Sequence, residues 1–82
     1  MKARIYGIKN AEEKEIVKGL LEKHCELDDV TAKAERSRKH NKLIKVNVYP
    51  KGSKALYMVI QFLPSAKIEF YHRKKIVKTI KM

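Results

Sequence analysis

The stretch Ala55-Leu56-Tyr57-Met58-Val59-Ile60-Gln61-Phe62-Leu63 constrains this chain more than any other. It carries no charge and is fenced by Pro50-Lys51-Gly52-Ser53 before it and Pro64-Ser65 after it. A short apolar run between turn residues predicts a strand inside a sheet, covered on both faces. The flanking segments alternate with period 2. Leu43–Tyr49 sets Ile44, Val46 and Val48 on one side, and Lys67–His72 alternates in the same way. Arg73-Lys74-Lys75 and then Ile76–Ile80 complete a hairpin pattern, whose turn lacks the Asn-Gly or Asp-Gly pair that favours a two-residue loop.

The first part of the chain has a different period. Ala3–Ile8 predicts a short strand with Ile5 in the core. Asn10 and Glu13 have the spacing of a capping box. Glu12, Glu13 and Glu15 then crowd a first turn, and Lys23 and His24 fall near the far end, as the helix dipole favours. Ile16, Val17, Leu20, Leu21 and Leu27 recur at helical spacing, which predicts an amphipathic helix over about residues 11–26. Gly19 inside it costs about 1 kcal/mol relative to alanine, suggesting close packing on the sheet. Residues 28–40 suit either a second helix or a strand. The strand is favoured, because Val30-Thr31 opens an alternation that runs to Arg36. The expected fold is α+β, a single domain over residues 1–82. One helix packs on one face of a mostly antiparallel four- to five-stranded sheet, in the order β-α-β-β-β-β.

Charge is distributed unevenly. The net charge is +11, yet residues 1–35 hold seven Lys/Arg against eight Asp/Glu, whereas residues 36–82 hold thirteen against Glu69 alone. Self-repulsion of that size disfavours the compact state, and a polyanionic partner offsets it. A solvated lysine-rich surface is the plainer explanation of the same composition. No apolar run approaches the roughly 20 residues of a membrane span, and no signal segment is read behind Met1. A single cysteine, Cys25, cannot form an internal disulfide, and a cytoplasmic protein is the expectation. His24 and Cys25 are adjacent on the helix and diverge by about 100°, so no metal site is expected. The glycines Gly7, Gly19 and Gly52 are scattered, so neither a phosphate loop nor a cofactor is expected.

Sorting the strands by face yields a candidate site. With Ile44/Val46/Val48, Leu56/Met58/Ile60/Phe62 and Ile68/Phe70 toward the helix, the pleat assigns Lys45, Asn47, Tyr49, Tyr57, Val59, Gln61, Lys67, Glu69 and Tyr71 to the opposite face. Aromatic rings among cations on an open sheet face are what single-stranded nucleic acid stacks on. Tyrosine also suits the half-exposed face of a two-layer sheet, or a homodimer interface. The expected nucleic-acid contacts are Arg36, Arg38, Lys39, His40, Lys42, Lys45, Tyr49, Tyr57, Tyr71, Arg73, Lys74 and Lys75. The expected function is non-enzymatic, backbone-directed binding of RNA or DNA, with no catalytic residue.

Two alternatives stand beside it. One is a small interaction protein of the kind phages and mobile elements encode, whose positive surface meets an acidic patch on a host protein. The other rests on Tyr71-His72-Arg73-Lys74-Lys75, a basic C-terminal hairpin that in outline is similar to ribosome-dependent RNase toxins of the RelE type. The resemblance covers about the last fifteen residues. It implies acid–base and phosphate-binding roles among Glu69, Tyr71, His72, Arg73 and Lys74.

Overall fold

The computed structural model describes residues 1–81 in seven elements: β1 (Lys2–Tyr6), α1 (Ala11–His24), β2 (Asp29–Arg36), β3 (Leu43–Pro50), β4 (Met58–Leu63), β5 (Lys67–His72) and β6 (Lys75–Lys81). The strands form one sheet in chain order. β1 and β2 are parallel, joined through α1, and every later pair is antiparallel. The fold is α+β as expected, with six strands rather than four or five, because residues 75–81 pair along β5. Residues 29–36 are strand, not helix.

Local chemistry accounts for the helix ends. The Asn10 side chain accepts the Glu13 backbone N–H at 2.8 Å and donates to the Glu13 carboxylate at 3.2 Å. This satisfies one of the first-turn donors that no helix can pair internally. At the other end Cys25 is extended, and its N–H closes on the Leu21 carbonyl.

One face of the sheet receives the helix. Val17 and Leu21 are fully buried against Val30, Ala32, Val46, Val48, Ile60 and Phe70. Burying each of the larger side chains contributes roughly 1.5–3 kcal/mol of transfer free energy. The register aligns the set across the sheet, with Ala32 beside Val48, Val48 beside Met58, Val46 beside Ile60, and Ile60 beside Phe70. No helix of the described residues is long and apolar enough to cross a membrane.

Four expectations are corrected here. β4 lies inside the sheet but is covered on one face only, since Val59 and Gln61 stay half-exposed opposite the helix. Ile44 leaves the core set. The β2–β3 ladder steps from Glu35–Lys45 to Arg36–Leu43, so Ile44 is the unpaired residue of a bulge, and Leu43 packs on the core instead. Ile16 is 40% exposed, because one helix lying on a sheet buries only a narrow stripe. Gly19 is not a packing glycine: a Cβ there would meet nothing within 4 Å.

The glycine that the fold does require is Gly7, in the turn between β1 and α1. Its φ is +85°, and a Cβ would lie 2.5 Å from the Ala34 carbonyl oxygen on β2. Gly7→Ala is therefore expected to destabilise by roughly 1–3 kcal/mol or more. Gly19→Ala should stabilise by roughly 0.5–1 kcal/mol. Urea denaturation of the two variants checks both, and equal effects would mean that the turn is not the constraint.

His24, at the end of α1, rests its ring on Phe70 with centroids 4.7 Å apart. Burial, then the charges of Lys78 and Lys23, hold its imidazole below the usual histidine range. The unfolded chain then binds this proton more readily than the folded one. The contribution to stability is complete above the ordinary value of about 6.5 and declines as pH falls below it. Thermal stability should drop on acidification through that window, and His24→Gln should flatten that part of the profile.

Candidate functional site

The open face of the sheet is read from its register rows. One row runs Tyr6, Lys33, Asn47, Val59, Tyr71, Ile76 from edge to edge, and the next runs Glu35, Lys45, Gln61, Glu69, Thr79. Most of the expected face is present, including Lys45, Tyr49 and Tyr71. Because residues 36–81 build β3 to β6 and their loops, the charge asymmetry of the sequence becomes a basic half of the sheet.

Tyr57 does not belong to that face. The β3–β4 ladder ends with Val48 opposite Met58, yet the Tyr57 N–H donates to the Val48 carbonyl at 2.9 Å, one residue out of step. A one-residue slip exchanges the two sides of a strand. The Tyr57 ring accordingly packs against the core and stacks on His72, with centroids 4.9 Å apart. Burial, then the Cys25 and Glu26 charges, raise its phenol above the ordinary tyrosine value. Leu56, expected in the core, is 51% exposed instead.

Leu56 forms part of a hollow of about 510 Å³ over β4. Val59, Gln61 and Tyr71 line it with Leu56, as do Lys45, Arg73 and Lys74, and Tyr57 reaches it from the other phase of the strand. The Tyr71 hydroxyl donates to the Glu69 carboxylate at 2.9 Å. That bond is the main reason its phenol is held above the usual range, so the ring stays neutral and its position is tied to Glu69. A second, smaller hollow lies beside Tyr49, with Thr31, Lys33 and Lys54 around it. There the Lys33 ammonium sits 5.6 Å over the Tyr49 ring, so the exposed face of that ring is already taken.

The expected cations divide into three groups. Arg36 is not available to a ligand: its guanidinium donates to the Gly7 carbonyl at 3.1 Å, to the Asn41 carbonyl at 2.8 Å and to the Glu13 carboxylate. Its side chain is only 12% exposed. Lys45 has Glu35 at 3.5 Å, a loose and exposed pair of little energetic weight. Arg38, Lys39, Lys42, Arg73, Lys74 and Lys75 have no acidic partner among the described residues. His40 is exposed beside them in the β2–β3 loop.

These free cations occupy opposite ends of the sheet. The loop of residues 37–42 lies at the end where β4 turns into β5, and the Arg73-Lys74 turn lies at the other. Along the strands the length of β5 separates them, about 20 Å at 3.4 Å per residue, and across the sheet they stand three strand spacings apart, about 14 Å. The turn itself is unusual. His72 pairs with Lys75 across a two-residue loop, and Arg73 and Lys74 both adopt left-handed conformations, φ +54° and +67°. That geometry normally selects Asn and Gly, and each L side chain held there costs about 1–2 kcal/mol.

Of the groups named for RNA cleavage, Tyr71, Arg73 and Lys74 line the hollow over β4, and His72 stands apart from them. Glu69 and Tyr71 join on the open face, whereas His72 turns to Tyr57, as consecutive strand residues must. Among the described residues no three His, Cys, Asp or Glu side chains gather where they could hold a metal ion. No known protein family, characterised protein or solved structure matches this chain.

Sequence reasoning missed Leu56 and Tyr6 as open-face residues. Tyr6 was legible, since β1 alternates and Ile5 marks its inner side. Leu56 was not, because only the slip at Tyr57 exposes it. Leu56→Ala should therefore leave stability within about 0.5 kcal/mol of the parent. Tyr57→Ala should cost roughly 1–3 kcal/mol. Thermal melts of the pair decide the face assignment, and a larger loss at Leu56 would reverse it.

Proposed function

We propose that this protein binds single-stranded nucleic acid through the open face of its sheet, without chemical turnover. One observation carries the reading: free cations stand at both ends of a sheet whose open-face acids Glu35 and Glu69 are already engaged. Glu69 is held by Tyr71, and Glu35 lies against Asn47 and Lys45. A strand crossing from the β2–β3 loop to the Arg73-Lys74 turn would meet Arg38, Lys39 and Lys42 first, then Lys45, then Arg73, Lys74 and Lys75. The strained turn agrees with this reading. Asn-Gly would be the stable choice there, and a basic pair retained at a conformational cost is a functional signature.

Phosphate contacts release counterions, so affinity must fall with salt. Contacts from the six unpaired cations predict a log–log slope of about −4 on a single strand. Charge reversal of Arg73, Lys74 and Lys75 should weaken binding far more than reversal of Lys14, Lys18 and Lys23, which lie among glutamates on the helix. The double variant Arg73→Asn/Lys74→Gly should gain about 1–2 kcal/mol of stability while losing affinity. Fluorescence anisotropy across a salt series measures the slope and the losses. A flat salt response would point instead to an acidic protein surface as the partner.

A further inference from the structure

The hollow over β4 has a feature that phosphate binding does not require: an apolar floor left open to solvent. Leu56 is 51% exposed and lines, with Val59 and Tyr71, a concavity of about 510 Å³. That volume falls in the range of about 300–1,000 Å³ typical of small-ligand sites. Gln61 supplies one amide, able both to donate and to accept, and the three cations Lys45, Arg73 and Lys74 flank the opening. The Tyr71 ring is tethered through its hydroxyl to Glu69, so it is set in place before any ligand arrives.

We propose that this hollow receives one unpaired base of the bound strand, with its neighbouring phosphates held by Arg73 and Lys74 on one side and Lys45 on the other. The inference rests on the single-strand reading above and adds the element that separates single strands from duplexes. A base is flat and apolar on its faces and polar at its edge. It matches a floor of Leu56, Val59 and Tyr71 with a single amide beside it. One amide that both donates and accepts suits the edge of any base, so the site selects for an unpaired base rather than for a sequence. In a duplex the bases are stacked and paired inside, and none can enter without being extruded, which costs a few kcal/mol. A leucine-bearing acidic peptide has the same overall chemistry, but it offers no flat ring to stack on that of Tyr71.

The test compares strands of equal phosphate count by fluorescence anisotropy: a short oligouridylate, a short oligothymidylate, an abasic strand and a duplex. The base-bearing single strands should bind about 5- to 150-fold tighter than the abasic strand, the fold-change equivalent of one stacked base. The ribose and deoxyribose arms identify which polymer supplies the base. Leu56→Ser and Tyr71→Ala should bring the base-bearing strands down to the abasic level and leave abasic binding unchanged. Leu56 is exposed, so its variant tests the floor without disturbing the core, and a melting curve confirms that it is folded. Equal binding of base-bearing and abasic strands overturns the base site while leaving phosphate binding intact. Absence of binding to every strand at low salt overturns both. Tighter binding to the duplex overturns the hollow as the discriminating element. So does displacement of the strand by an acidic leucine-bearing peptide at equal concentration.

Discussion

The Arg36 guanidinium is the interaction on which the arrangement of this molecule depends. It leaves the last residue of β2 and donates to the Gly7 carbonyl in the β1–α1 turn, to the Glu13 carboxylate in the first turn of α1 and to the Asn41 carbonyl in the β2–β3 loop. The end of β2 and the loop after it are tied at one point to the turn and first helical turn some 23 to 29 residues earlier. Hydrogen bonds to a charged group each contribute about 1.5–3 kcal/mol, and a planar guanidinium presents its donors in a fixed fork. Glu13 is also bonded to Asn10, so the helix cap and the clamp share one carboxylate. Gly7 permits the close approach, since its backbone passes directly over the Ala34 carbonyl.

That clamp holds the first turn of α1 to the end of β2. The only helix lies across one side, burying Val17 and Leu21 on β2 to β5, and no second layer among the described residues reaches the other side. The free cations stand at the two ends of the sheet, in the β2–β3 loop and the β5–β6 turn. Function and stability diverge at the β5–β6 turn. Arg73 and Lys74 hold left-handed conformations that suit neither side chain, and they place two free cations at the margin of the hollow. Ala66 holds a left-handed conformation in the β4–β5 turn as well, but only the β5–β6 turn places two consecutive cations there.

Much of the fold is legible from residue order. The Asn10 N-cap, the helical spacing of Val17, Leu20 and Leu21, and the alternation through Val46, Val48, Met58, Ile60, Ile68 and Phe70 all appear in the structure as read, while Glu13 completes the cap through the Asn10 side chain rather than its backbone. Each depends on a period set by local backbone geometry, 3.6 for the helix and 2 for the strand, so it survives without knowledge of what lies opposite. The basic half is legible for a similar reason, because charge adds up along the chain whatever the fold.

What failed depends on contacts between distant segments. Arg36 reads as the first residue of an exposed basic loop, and only the approach of Gly7, Glu13 and Asn41 converts it into an internal clamp. Ile44 has the parity of a core residue until a bulge opposite Arg36 puts Leu43 in its place. Tyr57 and Leu56 have the parity of the strand that follows them until one hydrogen bond, from Tyr57 to Val48, shifts the step and exchanges their sides. Residue order therefore determined the element types, the helix-facing core and the sign of the surface. Tertiary structure alone decided which cations are free, which aromatic ring faces solvent and where an apolar hollow opens. The reason is physical: periodicity assigns a side chain to a face only while the ladder stays in register, and register is a property of two strands, not one.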